Sequence, residues 1–157
     1  MRVVIADDEP LALALMRSML ERMGGVDVVA ECPNGEAVLD AVHEHHPDLL
    51  FLDIEMPGLS GFDVVKALQA DIMPMIVFAT AYEQYALKAF DLHAVDYVMK
   101  PLDSNRITRA IARAAERMAA RRDLYELKPA LIGVMDELAR QRDAQGGPAV
   151  AEGRAVE

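Results

Sequence analysis

Five short apolar runs, at residues 3–6, 26–30, 49–52, 75–79 and 94–98, are rich in β-branched and aromatic side chains and predict strands. The stretches between them change to helical spacing. Leu11, Leu15 and Met19 share one helical face before Gly24-Gly25, and Ala37, Val38, Ala41 and Val42 do so before Pro47. Further helices are predicted over 61–70, over 83–91 and from Asp103 onward. Strand and helix thus alternate five times, and strands this uniformly apolar call for a parallel sheet covered on both faces. Right-handed crossovers then reduce the topologies to a doubly wound five-stranded α/β sheet, flavodoxin-like, in the order 2-1-3-4-5.

From Asp103 the pattern changes. Asp103 or Ser104 is placed to cap a helix whose Ile107, Ile111, Ala114 and Met118 recur at steps of four, three and four. Pro129 is expected to interrupt any simple continuation, or to open a second helix at its first position. Leu124, Leu127, Leu131, Val134 and Leu138 form a seam at steps of three and four, on a run shorter than a sustained coiled coil. It serves either as a face packed on its own domain or as a dimer seam. The expected organisation is one domain over 1–121, a helical extension or linker over 122–144 and a flexible tail over 145–157, where Gly146-Gly147-Pro148 breaks the pattern.

The chemistry sits where strands end. Asp7-Asp8-Glu9 follows the first predicted strand, Asp53-Ile54-Glu55-Met56-Pro57-Gly58 the third, and Lys100-Pro101 the fifth. In an open α/β sheet the carboxyl ends of the strands form the ligand-binding edge. Carboxylates gathered there repel one another and demand a cation, so Asp7, Asp8 and Asp53 are candidate Mg²⁺ ligands and Lys100 a partner for an anion. Glu9 is assigned to the first turn of the helix near Pro10, where negative charge meets the helix dipole. His43 and His46 share a helical face beside His45, but no third ligand at metal-binding spacing accompanies them. The methionines read as core filler.

Charge narrows the function classes. Of the 26 acidic residues, 17 lie in residues 1–102 against 6 Lys/Arg, whereas residues 103–145 hold 7 acids and 9 Lys/Arg. An acidic body repels nucleic acid phosphates, which argues against DNA binding by the globular part. No segment approaches the roughly 20 apolar residues of a membrane span. A first strand beginning at residue 3 leaves no room for a signal peptide, and the single cysteine, Cys32, fits a cytoplasmic setting.

These residues resemble the receiver domains of two-component response regulators over residues 1 to about 121. Asp7-Asp8 matches the family's acidic pair, Asp53 its phosphoacceptor, Thr80 its switch hydroxyl, Tyr97 its switch aromatic, and Lys100-Pro101 its lysine with a cis-proline partner. The resemblance implies Mg²⁺ held by Asp7, Asp8, Asp53 and the backbone carbonyl of Glu55. It also implies a sensor histidine kinase as phosphoryl donor, and conformational and self-association changes that follow phosphorylation. The stretch 80–90 and His93-Ala94-Val95-Asp96-Tyr97 are similar to receivers of the LytR/AlgR group, whose members carry a C-terminal LytTR DNA-binding domain. No such domain fits in this chain. DNA would be reached through a missing domain, or the chain is a stand-alone receiver acting by protein contacts.

A phosphorylation-promoted homodimer is expected on the face made by the fourth helix, fifth strand and fifth helix. Ala86, Ala89, Phe90 and Ala94 sit there among Lys88, Asp91, Asp96 and Arg113, charges suited to pairing across a two-fold axis. A phosphohydrolase of the haloacid dehalogenase type is the alternative with an Asp nucleophile and Mg²⁺. That class wants Asp-x-Asp-x-Thr/Val, where this chain has Glu55 and Pro57.

Overall fold

The computed structural model describes residues 1–68 and 73–145. The chain divides into two compact units, Met1–Arg117 and Met118–Glu157. In the first, β1 (Arg2–Ala6), α1 (Pro10–Glu21), β2 (Asp27–Cys32), α2 (Gly35–His45), β3 (Leu49–Asp53) and α3 (Gly61–Ala67) are followed by β4 (Met75–Thr80). A 3₁₀ turn (Glu83–Tyr85), α4 (Ala86–Asp91), β5 (Asp96–Met99) and the start of α5 (Ser104–Gln145) complete it. Every strand pairing is parallel, and the order is β2-β1-β3-β4-β5, as the alternation and handedness predict.

Both sheet faces are covered, because side chains alternate across a strand and both sets are buried. Val4, Ala6, Leu50, Leu52, Ile76 and Phe78 share one cluster with Val38 and Val42 of α2 and Phe62 and Val64 of α3. Their neighbours Val3, Ile5, Leu49, Phe51 and Val77 are buried on the opposite face, as are Met16 and Leu20 of α1 and Ile107, Ala110 and Ala114 of α5.

Local chemistry sets the helix starts. Pro10 opens α1, a position where its missing N–H costs nothing. Asn34 caps α2 by accepting from the Ala37 N–H at 2.8 Å. Ser60 and Asp63 form a reciprocal capping box at the start of α3, at 3.1 and 3.0 Å. Asp103 accepts from the Asn105 N–H at 3.1 Å before α5, the cap the sequence offered there.

Several boundaries differ from the sequence expectation. The helix predicted over 61–70 ends at Ala67, and Gln69 and Ala70 lie outside the described residues. The single helix predicted over 83–91 divides into the 3₁₀ turn and a six-residue α4. The strand predicted from residue 94 begins at Asp96. Ahead of it His93 takes a left-handed φ of 60°, and the Ala94 N–H closes the end of α4 on the Ala89 carbonyl at 3.2 Å.

The second unit is helical from Met118 to its last described residue, Gln145, and the helix runs through Pro129 rather than stopping there. Residues 125–131 are exposed, so the Tyr125 carbonyl that loses its i+4 donor at the proline is open to water. The tail expected over 145–157 falls outside the described residues beyond Gln145. Among the described residues, no helix is long and apolar enough to cross a membrane.

Candidate functional site

The strand register brings the charged residues into a row. Ala6 stands beside Leu52, Asp53 beside Ala79, and Thr80 beside Met99. The next residues along β1 and β5 are Asp7 and Lys100, so Asp7, Asp53, Thr80 and Lys100 meet at the carboxyl edge of the sheet. Asp7, Asp8 and Asp53 each place a carboxylate oxygen within 4.8 Å of the others. Asp7 is fully buried, Asp53 nearly so, and Asp8 is exposed.

Lys100 bridges the buried pair. Its Nζ lies 2.6 Å from Asp7 Oδ2 and 3.5 Å from Asp53 Oδ2. Burial opposes the ammonium charge, but the hydrogen bond to Asp7 and the two negative charges hold Lys100 above its ordinary value. The peptide bond between Lys100 and Pro101 is cis, and the Lys100 N–H donates to the Thr80 carbonyl at 2.8 Å.

Burial pushes the Asp53 carboxyl up to about 6; the Lys100 charge works against this and the Asp7 charge adds to it. Asp53 Oδ1 accepts from the Glu55 N–H at 3.3 Å, and Asp7 Oδ1 from the Glu9 N–H at 2.9 Å. Each carboxylate therefore keeps one oxygen on its own loop backbone and turns the other toward Lys100. Three hard oxygen donors with one open side suit a small divalent cation.

Around this edge lies an open cavity of about 520 Å³, lined by Asp8, Glu55, Met56, Phe62, Tyr85 and Lys88 among others. The Glu55 carboxylate accepts from the Tyr85 hydroxyl at 2.9 Å. Tyr85 stands edge-on to Phe62, with ring centroids 5.6 Å apart, and Lys88 Nζ lies 4.6 Å from the centre of the Phe62 ring.

Thr80 is buried at the end of β4 and its Oγ1 accepts from the Tyr82 N–H at 3.1 Å. Tyr97, half-buried on β5, donates its hydroxyl to the Tyr82 carbonyl. Burial raises the Tyr97 phenol above its ordinary value, so it remains a donor at neutral pH.

Sequence reasoning missed three features. Gly61 approaches the β3 end so closely that a Cβ there would lie 2.5 Å from the Asp53 carbonyl oxygen, a contact only glycine permits. Its N–H also closes the loop on the Ile54 carbonyl at 2.8 Å. The Ser60-x-x-Asp63 capping signature beside Gly61 was the available clue. Tyr85 and the backbone of Tyr82 left no comparable signal.

The third is a correction. Asp96, expected among the charges of a two-fold contact, is instead drawn into the chain's own ion pairs, and Arg113, which binds it at 3.0 Å, keeps its side chain 56% exposed. Asp96 is buried and receives both Arg106 terminal nitrogens at 2.6 Å, while Arg106 also donates to the Tyr97 carbonyl at 2.9 Å. Burial works against the Asp96 charge, yet Arg106 and the Tyr97 N–H hold its carboxyl below the usual carboxylate range. Of the expected apolar residues, Ala89 is buried and Phe90 is 80% exposed.

The histidines form no metal centre among the described residues: His43 Nδ1 pairs with the Leu39 carbonyl at 2.9 Å, and His46 ends α2 at a left-handed φ of 46°.

Comparison with known proteins gives a consistent result. Residues 3–112 match the response regulator receiver domain. The chain is 46% identical over 112 residues to the transcriptional regulatory protein BtsR of Escherichia coli K12, which covers 71% of this chain and 47% of that protein. It is 39% identical over 132 residues to an uncharacterized response regulatory protein of Yersinia pestis, covering 83% and 56%. The chain thus spans about half the length of these curated relatives. Among solved structures, the response regulatory domain of mrkE from Klebsiella pneumoniae superposes with a TM-score of 0.69 at 31% identity, covering 74% of this chain and 97% of that one.

Proposed function

We propose, from the fact that this chain belongs to the response regulator receiver domains, that it takes a phosphoryl group from a sensor histidine kinase onto Asp53 and converts it into a change of surface. The observation that carries this reading is Lys100 held between Asp7 and Asp53, beside Asp8, at the carboxyl edge of the sheet. Receivers are signalling domains that work with sensor histidine kinases, and the phosphohydrolase alternative gives way to that family.

Mg²⁺ is the cofactor of this reading; Asp7, Asp8 and Asp53, with the Glu55 carbonyl, would hold it. When bound, it supplies charge neutralisation at the phosphoryl oxygens. An Asp53 carboxylate oxygen attacks phosphorus in line. The new O–P bond forms as the P–N bond to the kinase histidine breaks, and the electron pair leaves with the imidazole. Lys100 is close enough to turn its ammonium to a phosphoryl oxygen. Thr80, whose oxygen already accepts from Tyr82, offers its hydroxyl proton to another.

Movement of Thr80 would pull on Tyr82 and so on Tyr97, the route by which the site reaches the surface of α4, β5 and α5. Leu87 and Phe90 of α4 are 81% and 80% exposed, which supports a phosphorylation-promoted homodimer on that face. The output is assigned to transcription through a LytTR-type DNA-binding domain outside this chain. The names and greater length of the BtsR relatives and the similarity over 80–97 support that assignment. Residues 1–121 would then be the receiver, 122–144 the linker and 145–157 a tail toward the output; a cytoplasmic setting belongs to the same reading.

Incubation with acetyl phosphate and Mg²⁺, followed by peptide mapping of the acyl phosphate, tests the assignment. The label belongs on the peptide containing Asp53, and a label elsewhere would contradict it.

A further inference from the structure

In the second unit, Leu124, Leu127, Leu131, Val134 and Leu138 fall on one stripe of the helix and are 61, 55, 48, 57 and 58% exposed. A contiguous apolar stripe left in water marks an interaction surface. Steps of three and four place Leu124, Leu131 and Leu138 at the first position of a heptad (a) and Leu127 and Val134 at the fourth (d).

The flanks say what covers it. Asp123 and Glu137 occupy the seventh heptad position (g), and Lys128 and Arg142 the fifth (e). In a parallel, in-register pair, g of one helix faces e of the following heptad on the other. Asp123 then meets Lys128 of the second copy, and Glu137 meets Arg142 of the second copy. An antiparallel pair would set g against g and e against e, acid on acid and base on base. At the middle heptad g and e are Ala130 and Met135, which widen the apolar strip. Charge at four of the six e and g positions favours two strands, since larger bundles bury them.

We infer that this helix is a parallel, in-register two-stranded dimer seam for a second copy of the same chain, available without phosphorylation. The two residues least suited to a helix stand clear of it: Pro129 falls at the sixth heptad position (f) and Gly133 at the third (c). The Arg140–Glu137 ion pair at 3.0 Å within the helix is exposed and weak, so Glu137 is free to turn to a partner. Two heptads alone make a weak contact; joined to a phosphorylation-dependent receiver contact, they raise its effective concentration. The inference deepens the homodimer reading above by adding a second surface and an orientation.

Sedimentation equilibrium of the whole chain in EDTA, without phosphoryl donor, tests the seam apart from the phosphoacceptor. A reversible dimer is expected, with a dissociation constant raised at least about tenfold by Leu131→Lys. Leu131 is already half-exposed, so that variant should keep the wild-type circular dichroism of the sheet domain and its Asp53 labelling. Glu137→Arg should weaken the dimer, and Glu137→Arg with Arg142→Glu should restore it. Leu138→Cys should cross-link copy to copy under mild oxidation, with Cys32 buried and inert. A monomer at hundreds of micromolar, a trimer or tetramer, a dimer indifferent to Leu131→Lys, or failure of Leu138→Cys to cross-link would overturn the inference. Failure of the wild-type chain to label at Asp53 with donor and Mg²⁺ would count against the phosphoacceptor reading and leave this one standing.

Discussion

Thr80 and Tyr97 hold the two ends of one residue: the Tyr82 N–H donates to Thr80 Oγ1 at 3.1 Å, and the Tyr82 carbonyl accepts from the Tyr97 hydroxyl. A buried hydroxyl beside the phosphoacceptor candidate is therefore two hydrogen bonds from a half-buried aromatic ring on β5. A local change acquires a distant readout only through such an element with two discrete arrangements. Thr80→Ala should leave Asp53 labelling within a few fold of wild type but abolish the phosphorylation-dependent change at Tyr97, followed by NMR of labelled tyrosine. A full response in that variant would place the coupling elsewhere. Tyr97→Phe keeps the ring and loses the bond to Tyr82, so it should weaken phosphorylation-dependent dimerisation, read by sedimentation, less than Thr80→Ala does.

The Asp96 cluster carries a stability prediction. Removing one partner of a buried ion pair leaves the other uncompensated. Asp96→Ala should cost about 3 kcal/mol in denaturant unfolding, near the low end for buried pairs because Arg106 retains some access to water. Since the Asp96 carboxyl lies below its ordinary range when folded, its contribution is present above the unfolded value and fades as pH falls through the lower folded value. Wild type and variant should thus converge in acid. A constant difference down to about pH 2 would contradict the assignment.

Gly61 and Gly58 separate two reasons for glycine. A Cβ at Gly61 would collide with the Asp53 carbonyl at 2.5 Å, whereas Gly58 has room but a φ of +78°. Gly61→Ala should cost about 2 kcal/mol and slow Asp53 labelling about tenfold, because the β3 end must move. Gly58→Ala should cost about 1 kcal/mol from backbone strain and leave labelling nearly unchanged. Equal effects in labelling would remove the special role given to Gly61.

The raised Asp53 carboxyl predicts the pH dependence of metal binding. Without metal, the folded chain holds this proton more tightly than the unfolded chain does. Stability therefore falls as pH rises from the ordinary carboxylate value to about 6, then levels off. Mg²⁺ requires the ionised group. Its affinity, read by calorimetry, should drop about tenfold per pH unit below about 6 and be flat above. An affinity unchanged between about pH 5 and 7 would contradict the buried, proton-competing site.

The sheet was legible because its strands are buried runs, and Val3, Val4 and Ile5 leave no polar alternation to confuse with a helix. The gathering of Asp7, Asp8, Asp53, Thr80 and Lys100 was legible because parallel strands bring their carboxyl ends to one edge. Contacts set by tertiary approach were not. Nothing in the spacing of Asp96, Arg106 and Arg113 says that a strand residue and two helix residues converge, and the proximity of Gly61 to Asp53 depends on how the loop after β3 folds back. Pro129 misled because a local breaker was weighed without the helical residues on both sides, whose exposed backbone leaves the lost bond to water.

The central claim is that Asp53 is the phosphoacceptor and that the three-acid site makes it so. The most direct measurement is intact-mass analysis of the chain after exposure to acetyl phosphate with Mg²⁺, with EDTA, and in the Asp53→Asn and Asp8→Ala variants. The account predicts one phosphoryl group on the wild-type chain with Mg²⁺, none with EDTA, none on Asp53→Asn and a severe loss on Asp8→Ala. Full labelling of Asp53→Asn, or wild-type labelling indifferent to EDTA, would contradict it.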